Sequence, residues 1–138
     1  MKLYLMQHGN AMSKAENPER PLSEQGQHDV EGISTFLARS KSKISEIRHS
    51  GKRRSEETAH IVARHLELQE YVVKMDGLSP NDDVRPVAEI LQQEAQTVMI
   101  VGHLPFLSHL ASYLLVKESE QELIRFQQGG ILCLDKGE

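Results

Sequence analysis

Short apolar runs of two kinds alternate along the chain, and this alternation constrains its fold more than any other feature. Runs typical of β-strands lie at residues 3–6, 44–48, 71–75, 97–101 and 131–134. The stretches between them carry the spacing of three and four residues that is typical of helices. Strands that alternate with helices over short connections form parallel sheets with helices on both faces. We therefore predict an α/β fold of three layers around a mostly parallel central sheet.

Each stretch between the predicted strands also carries a plausible helix start. We place the four starts at Ser23 as an N-cap, at Ser55, at Asp82 or Asp83 as a cap, and at Pro105. The first helix is expected to bury an apolar stripe of Val30, Ile33, Phe36 and Leu37. The charged stretch at residues 118–122 is expected to be exposed.

Length and charge narrow the class of protein. We expect residues 1–138 to form one domain with its own core. Lys and Arg number 16 against 20 Asp and Glu, and this net charge of -4 argues against nucleic acid or an anionic membrane as a partner. A lone Cys133 is typical of a reducing compartment, and the sequence shows neither a signal-peptide pattern nor an apolar run of about 18 residues. We therefore expect a cytoplasmic protein.

Polar clusters follow three of the predicted strands. His8 and Gly9 follow the first strand, residues 49–54 (His-Ser-Gly-Lys-Arg-Arg) follow the second, and His103 follows the fourth. The carboxyl ends of parallel strands share one edge of a sheet, so these clusters are expected to converge. Histidines, cations and helix N-termini together favour a bound anion such as a phosphoryl group.

Other interpretations of these clusters exist. A histidine at a strand end is often a hydrogen-bonded structural residue, and a basic run is often a solvated helix start. Histidines 8, 49 and 103 on neighbouring strand ends could instead bind a metal. A phosphate-binding P-loop is excluded, because that motif needs glycine where Glu46 stands and Ser or Thr where Arg53 stands.

Five segments, in order, resemble the motifs of the histidine phosphatase superfamily and, within it, of the small SixA-type phosphohistidine phosphatases. These segments are Leu3–Ala11, Glu19–Ser23, Ser50–Ala59, Leu78–Val84 and Val101–Pro105. The resemblance covers nearly the whole chain and implies a phosphoglycerate mutase-like fold.

The resemblance also implies a role for each site residue. His8 would be the nucleophile and would become a phosphohistidine that water then hydrolyses. Arg54 would bind the non-bridging phosphoryl oxygens, and a protonated His103 would stabilise their charge. The remaining phosphate-binding residues would be Gln7, Gly9, Arg20 and Ser50. Fixed cations would replace a metal in this scheme, so no metal or other cofactor is expected.

The chain departs from the family pattern at four positions near these residues. Gln7 stands where the family has a phosphate-binding arginine, and the loss of a charge-assisted bond of roughly 1–2 kcal/mol predicts a five- to thirtyfold loss of rate or affinity. Lys52, Arg53 or Arg20 could compensate. Gly51 replaces proline and Ser55 replaces alanine. Glu57 replaces glutamine, and its carboxylate would either repel phosphate or orient Arg54.

The leaving group favours one substrate class. SixA-type loops tend to carry an acid where Gly77 stands, and the nearby Asp76, Asp82 and Asp83 are equally typical of turns and caps. Without a clear general acid, a phosphohistidine is favoured, because its imidazole leaving group is readily protonated. We predict a phosphatase that acts on a phosphohistidine in a protein partner. The alternatives are a broader phosphomonoesterase and a weakly active or inactive relic that binds phosphate or a phosphoprotein.

Overall fold

A computed structural model describes residues 2–40, 42–116 and 128–135, so the charged stretch at 118–122 lies outside the described residues. The strands are β1 (Lys2–Gln7), β2 (Glu46–His49), β3 (Val72–Lys74), β4 (Val98–Gly102) and β5 (Ile131–Asp135). The helices are α1 (Glu24–Arg39), α2 (Arg53–Leu66), α3 (Arg85–Gln92) and α4 (Phe106–Val116), with a short 3₁₀ helix at Gln69–Tyr71. Within these ranges, no helix has the length and apolar character needed to cross a membrane.

The strands form one mixed sheet in the order β3-β2-β4-β1-β5. Strands β3, β2, β4 and β1 run parallel, while β5 runs antiparallel to β1 at the edge. The prediction of a mostly parallel sheet is therefore confirmed. Because β2, β4 and β1 are parallel neighbours, their carboxyl ends lie side by side at one edge.

Alternating side chains of the central strands pack into two cores, one on each face of the sheet. Leu5 and Ile100 pack with apolar side chains of α3 and α4. Met6 and Met99, one position along each strand, pack instead with α1 and α2. This period of two is the expected pattern for strands buried on both faces. The predicted placement of helices on both faces is confirmed.

Helix starts and faces agree with the sequence in part. Ser23 is the N-cap of α1, and its hydroxyl accepts a hydrogen bond of 3.0 Å from the Gly26 N–H. Val84 holds the N-cap position of α3 in place of Asp82 or Asp83, although Asp83 Oδ1 accepts a hydrogen bond of 3.0 Å from the backbone N–H of Arg85, the first residue of the helix. The sequence predicts that Phe36 is buried on the inner face of α1, and this prediction is wrong, since Phe36 is 73% exposed.

The error at Phe36 has a simple geometric reason. The buried stripe of α1 consists of Gly26, Val30, Ser34 and Leu37. Two of these residues are small or polar, so a search for large apolar residues misses them and selects Phe36 instead. Small residues on this stripe allow α1 to approach the loop that follows β1.

Candidate active site

The sheet brings the three predicted strand-end clusters together. His8 directly follows β1 and His103 directly follows β4, and these strands pair so that Gln7 lies opposite Gly102. The imidazole ring centroids of His8 and His103 are 5.1 Å apart. Ser50 follows β2 on the other side of β4 and lies within hydrogen-bonding distance of His103. Residues separated by about a hundred positions in sequence thus share one site, as a parallel sheet predicts.

The orientation of His8 leaves one ring nitrogen with a free lone pair. His8 Nδ1 lies 2.7 Å from the carbonyl oxygen of Gly9, which can only accept, so Nδ1 carries the proton. Burial lowers the pKa of His8, and the charges of Arg54 and Arg20 lower it further, against the opposing effect of the Gly9 bond. The ring is therefore neutral at neutral pH and its Nε2 lone pair is available for nucleophilic attack.

Gly9 holds this arrangement through close backbone packing. Its N–H donates a hydrogen bond of 3.1 Å to the Thr58 hydroxyl, which itself donates to the Arg54 carbonyl at 2.8 Å. A side chain at position 9 would place its Cβ 2.7 Å from Val30 Cγ2. The backbone N–H of Gly9 thus bonds to Thr58 and its carbonyl bonds to His8, while the predicted phosphate-binding role of Gly9 stays a prediction. The sequence reasoning did not single out Thr58, although it follows Arg54 by one helical turn within the matched Ser50–Ala59 segment.

His103 is held by a short hydrogen bond in a buried position. Its Nε2 lies 2.6 Å from Ser50 Oγ, and only 1% of the residue is exposed. Burial lowers the pKa of His103 to about 3, and the neighbouring His8 ring and the charge of Arg54 add to the effect. With only these protein groups around it, His103 is neutral at neutral pH. This differs from the protonated form that the resemblance implied.

Two guanidinium groups lie near the histidines. Arg54 stands in the first turn of α2, and its buried Nε has no hydrogen-bond partner among the described residues. Burial and the nearby charge of Arg20 lower the pKa of Arg54. Arg20 has a positive φ of 49°, and its Nε donates a hydrogen bond of 3.0 Å to the Met12 carbonyl. Like charges that are crowded together in this way favour a bound anion.

The other basic residues of the 52–54 run differ from Arg54. Arg53 pairs with Glu57 at 2.9 Å and with Glu19 at 3.2 Å, so its guanidinium is already neutralised. Lys52 is one of the charges that lower the pKa of His103. Of the three residues proposed to replace the missing arginine, Arg53 is therefore the least available to bind phosphate.

Glu57 does not orient Arg54, and that prediction is wrong. One of its carboxylate oxygens accepts a hydrogen bond of 2.8 Å from the backbone N–H of Leu22, and the other accepts from Arg53. Glu57 thereby ties α2 to the segment that carries Arg20. The sequence could not show this, because the Leu22 contact spans 35 positions.

Gln7 is buried beside this cluster and brings no charge to it. The residue is 8% exposed, and its Oε1 is buried without a hydrogen-bond partner in the described part of the chain. Its backbone is held by the turn before β5, since the Gln7 N–H donates to Gly130 at 3.1 Å. The positive potential of the site therefore comes from residues other than position 7.

The metal-binding alternative involves His49, which has other contacts. Its Nδ1 accepts a hydrogen bond of 3.0 Å from the Gly51 N–H, and its ring centroid lies 6.3 Å from that of His60. Burial lowers the pKa of His49. Over the described ranges, no three His, Cys, Asp or Glu side chains are grouped as metal ligands.

Comparison with known proteins identifies relatives of the chain. It is 28% identical over 119 residues to the phosphohistidine phosphatase SixA of Escherichia coli K12, a match that covers 83% of this chain and 74% of the relative. The solved structure of the protein histidine phosphatase SixA complexed with tungstate is 26% identical and has a TM-score of 0.86, covering 99% of this chain and 90% of that one. No protein-family model matches the chain.

A more distant structure confirms the fold class. The phosphoglycerate mutase of Bacillus anthracis str. Sterne is 12% identical and superposes with a TM-score of 0.75, covering 96% of this chain and 86% of that one. The predicted phosphoglycerate mutase-like fold is therefore confirmed. In both sequence and fold, the chain is therefore a homologue of the SixA phosphohistidine phosphatases, which are proteins of the histidine phosphatase type.

Proposed function

We propose that this protein removes the phosphoryl group from a phosphohistidine on a protein partner, through a covalent intermediate on His8. One observation carries the proposal: a neutral imidazole with a free Nε2 lies beside Arg54 and Arg20, and no described carboxylate pairs with either guanidinium. The named relative SixA is a phosphohistidine phosphatase, which supports the same substrate class. A phosphohistidine-bearing domain of a cytoplasmic signalling protein is the substrate that we propose.

In the first step, the Nε2 lone pair of His8 attacks phosphorus while the bond between phosphorus and the substrate imidazole breaks. The Nδ1–H of His8 stays hydrogen-bonded to Gly9, and this bond stabilises the positive charge that develops on the ring. Arg54 and Arg20 balance the negative charge on the three phosphoryl oxygens. The leaving imidazole takes up a proton from solvent water as it departs.

In the second step, water attacks the phosphohistidine, the bond between Nε2 and phosphorus breaks, and inorganic phosphate is released. The charge of the phosphoryl group offsets the burial and the cations that keep His103 neutral, so phosphate binding raises the proton affinity of His103. A protonated His103 then stabilises the oxygens in both steps. This step restores His8 and completes the cycle.

The surroundings of Asp82 and Asp83 favour a phosphoramidate substrate. Asp83 pairs with Arg85, whose hydrogen bonds hold the pKa of Asp83 at about 2, so this carboxylate is ionised at neutral pH. Asp82 accepts a hydrogen bond from the Ser79 backbone. An imidazole leaving group needs less protonation in the transition state than an alkoxide does. We therefore infer a preference for phosphohistidine over alkyl phosphates.

One observation favours a second function, the binding of phosphate or a phosphoprotein with little turnover. Gln7 contributes no charge where the family has arginine, so the transition state is stabilised less. In the proposal above, Arg20 supplies the missing charge from the loop after β1. A broader phosphomonoesterase is the third candidate and predicts efficient turnover of simple esters.

A turnover experiment without added metal separates these candidates. The substrates are a phosphohistidine-bearing protein and p-nitrophenyl phosphate, and the enzymes are the wild type, His8→Ala and the control His28→Ala. His28 lies exposed on α1. We expect the wild type and the control to prefer phosphohistidine and to form acid-labile phosphate on His8. Binding without turnover would overturn the proposal in favour of the relic, and equal turnover of the ester would favour the broader phosphatase.

A further inference from the structure

A chain of hydrogen bonds runs from the first turn of α2 to His103. Ser55 Oγ lies 2.7 Å from Ser50 Oγ, and Ser50 Oγ lies 2.6 Å from His103 Nε2. Ser55 is fully buried and stands where the related family motif has alanine. The chain of two hydroxyls is thus a feature of this sequence, which the family pattern does not predict.

The direction of each of these hydrogen bonds follows from the Lys52 carbonyl, which lies at one end of the series. The Ser55 hydroxyl lies 2.9 Å from the Lys52 carbonyl, which can only accept, so Ser55 donates to it. Ser55 Oγ then accepts from the Ser50 hydroxyl. Having donated its proton, Ser50 accepts from the Lys52 N–H at 3.3 Å and from His103 Nε2–H. In the opposite arrangement, Ser50 would donate to His103 and Ser55 would donate to Ser50. The hydrogen bond from Ser55 to the Lys52 carbonyl would then be lost, so this arrangement is less favourable.

We propose that Ser55, acting through Ser50, is a positioning residue that fixes His103 as its Nε2–H tautomer and reserves Nδ1 for the proton taken up with the phosphoryl group. His103 Nδ1 is buried and has no hydrogen-bond partner among the residues described. With alanine at position 55, the Ser50 hydroxyl would be free to rotate and donate to Nε2. The proton of His103 would then move to Nδ1 in part of the population.

The charges around His103 explain why the site of its second proton matters. His8 faces it from the end of β1, Arg54 and Lys52 from the start of α2, and Arg20 from the loop before α1. The three cations among these groups oppose a positive ring, and a bound anion offsets their charge. In the fixed tautomer, Nε2–H already donates to Ser50, so His103 takes up its second proton at Nδ1 without any reorientation of the Ser50 hydroxyl, and this is a form of preorganisation.

The first test is nitrogen NMR of the His103 ring in wild type, Ser55→Ala and the control Ser34→Ala. Ser34 is likewise fully buried, and its hydroxyl has no partner within the described chain, so its loss should leave His103 unchanged. We expect protonated Nε2 and unprotonated Nδ1 signals in the wild type and the control, and averaged signals in Ser55→Ala. Identical signals in Ser55→Ala and wild type, or a protonated Nδ1 in the wild type, would overturn the proposal.

The second test measures the consequence for catalysis, and this part rests on the proposed function. Ser55→Ala should lower kcat by about two- to tenfold with little change in KM, and should alter the pH profile of kcat. The NMR test needs no turnover, so an inactive protein with the predicted tautomer would refute the proposed function alone. If the protein is active and His103 has the same tautomer in wild type and Ser55→Ala, this inference alone is refuted.

Discussion

Arg53 and Arg54 are neighbours in the chain and have opposite surroundings. Arg53 lies on the outer side of α2, where it pairs with Glu57 and Glu19 and its side chain is 45% exposed. Arg54 lies on the inner side, where its Nε is buried without a partner in the described part of the chain. The carboxylates near α2 therefore neutralise the outer arginine and leave the inner one available to bind a ligand.

The same contrast extends over the described surface. Three other arginines have carboxylate partners: Arg48 pairs with Glu46 and Glu94, Arg64 with Glu31, and Arg85 with Asp83. Within the described residues, the Arg20 side chain at the site donates to a backbone carbonyl and has no carboxylate partner. Because a partly buried charge without a counter-ion lowers stability, two such guanidinium groups side by side are typical of a functional site.

Replacing each of the two neighbouring arginines by alanine tests this difference directly, and the change at Arg54 is expected to have the greater consequence. Arg54→Ala should lower kcat/KM for the phosphohistidine protein by about 10²–10³, because it removes a charged donor from the transition state. Arg53→Ala should change kcat/KM by less than about threefold, because it breaks only exposed ion pairs. Steady-state kinetics at fixed ionic strength measures both. Similar losses in the two variants would show that the inner and outer sides of α2 are not functionally distinct.

The second prediction asks whether Arg20 supplies the positive charge that Gln7 lacks. Arg20→Ala should lower kcat/KM by about ten- to a hundredfold, since charge-assisted hydrogen bonds contribute about 1.5–3 kcal/mol. Gln7→Arg should raise the wild-type rate by less than about threefold, yet recover much of the loss in the Arg20→Ala background. The four proteins form a double-mutant cycle whose coupling is read from kcat/KM. Additive effects at the two positions would mean that Arg20 does not replace the missing arginine.

The fold could be predicted from sequence because its signals are local. The strand run before His8 and the N-cap at Ser23 each depend on a few adjacent residues, and parallel pairing then brings the strand ends together. The buried stripe of α1 could not be predicted, because Gly26 and Ser34 are buried by close helix packing and not by their own hydrophobicity.

The site was predictable in position and less so in detail. His8, Arg54 and His103 follow from the family motifs, but the inward turn of Arg54 and outward turn of Arg53 depend on where α2 begins. The role of Glu57 depends on a contact with a loop 35 positions away. Residue type alone is compatible with either side of a helix, so contacts of this kind need three-dimensional coordinates.

Two glycines of α1 repeat the contrast between the inner and the outer side. A Cβ on Gly26 would lie 2.1 Å from the backbone oxygen of Asn10, in the loop that follows His8 and Gly9. A Cβ on Gly32 would meet nothing within 4 Å. The methyl group added by a Gly→Ala substitution would therefore collide with the loop after His8 at position 26, whereas at position 32 it would lie in open space.

We expect Gly26→Ala to lower the free energy of unfolding by about 1–3 kcal/mol, because the added methyl group overpacks against backbone that cannot rotate away. Gly32→Ala should raise it by about 0.5–1 kcal/mol through helix propensity. Urea unfolding measures both values. Gly26→Ala should also reduce kcat in the folded protein, because the displaced loop carries the Gly9 carbonyl that orients His8. A stable Gly26→Ala variant with unchanged kcat would show that the tight contact between α1 and the loop does not hold the nucleophile in place.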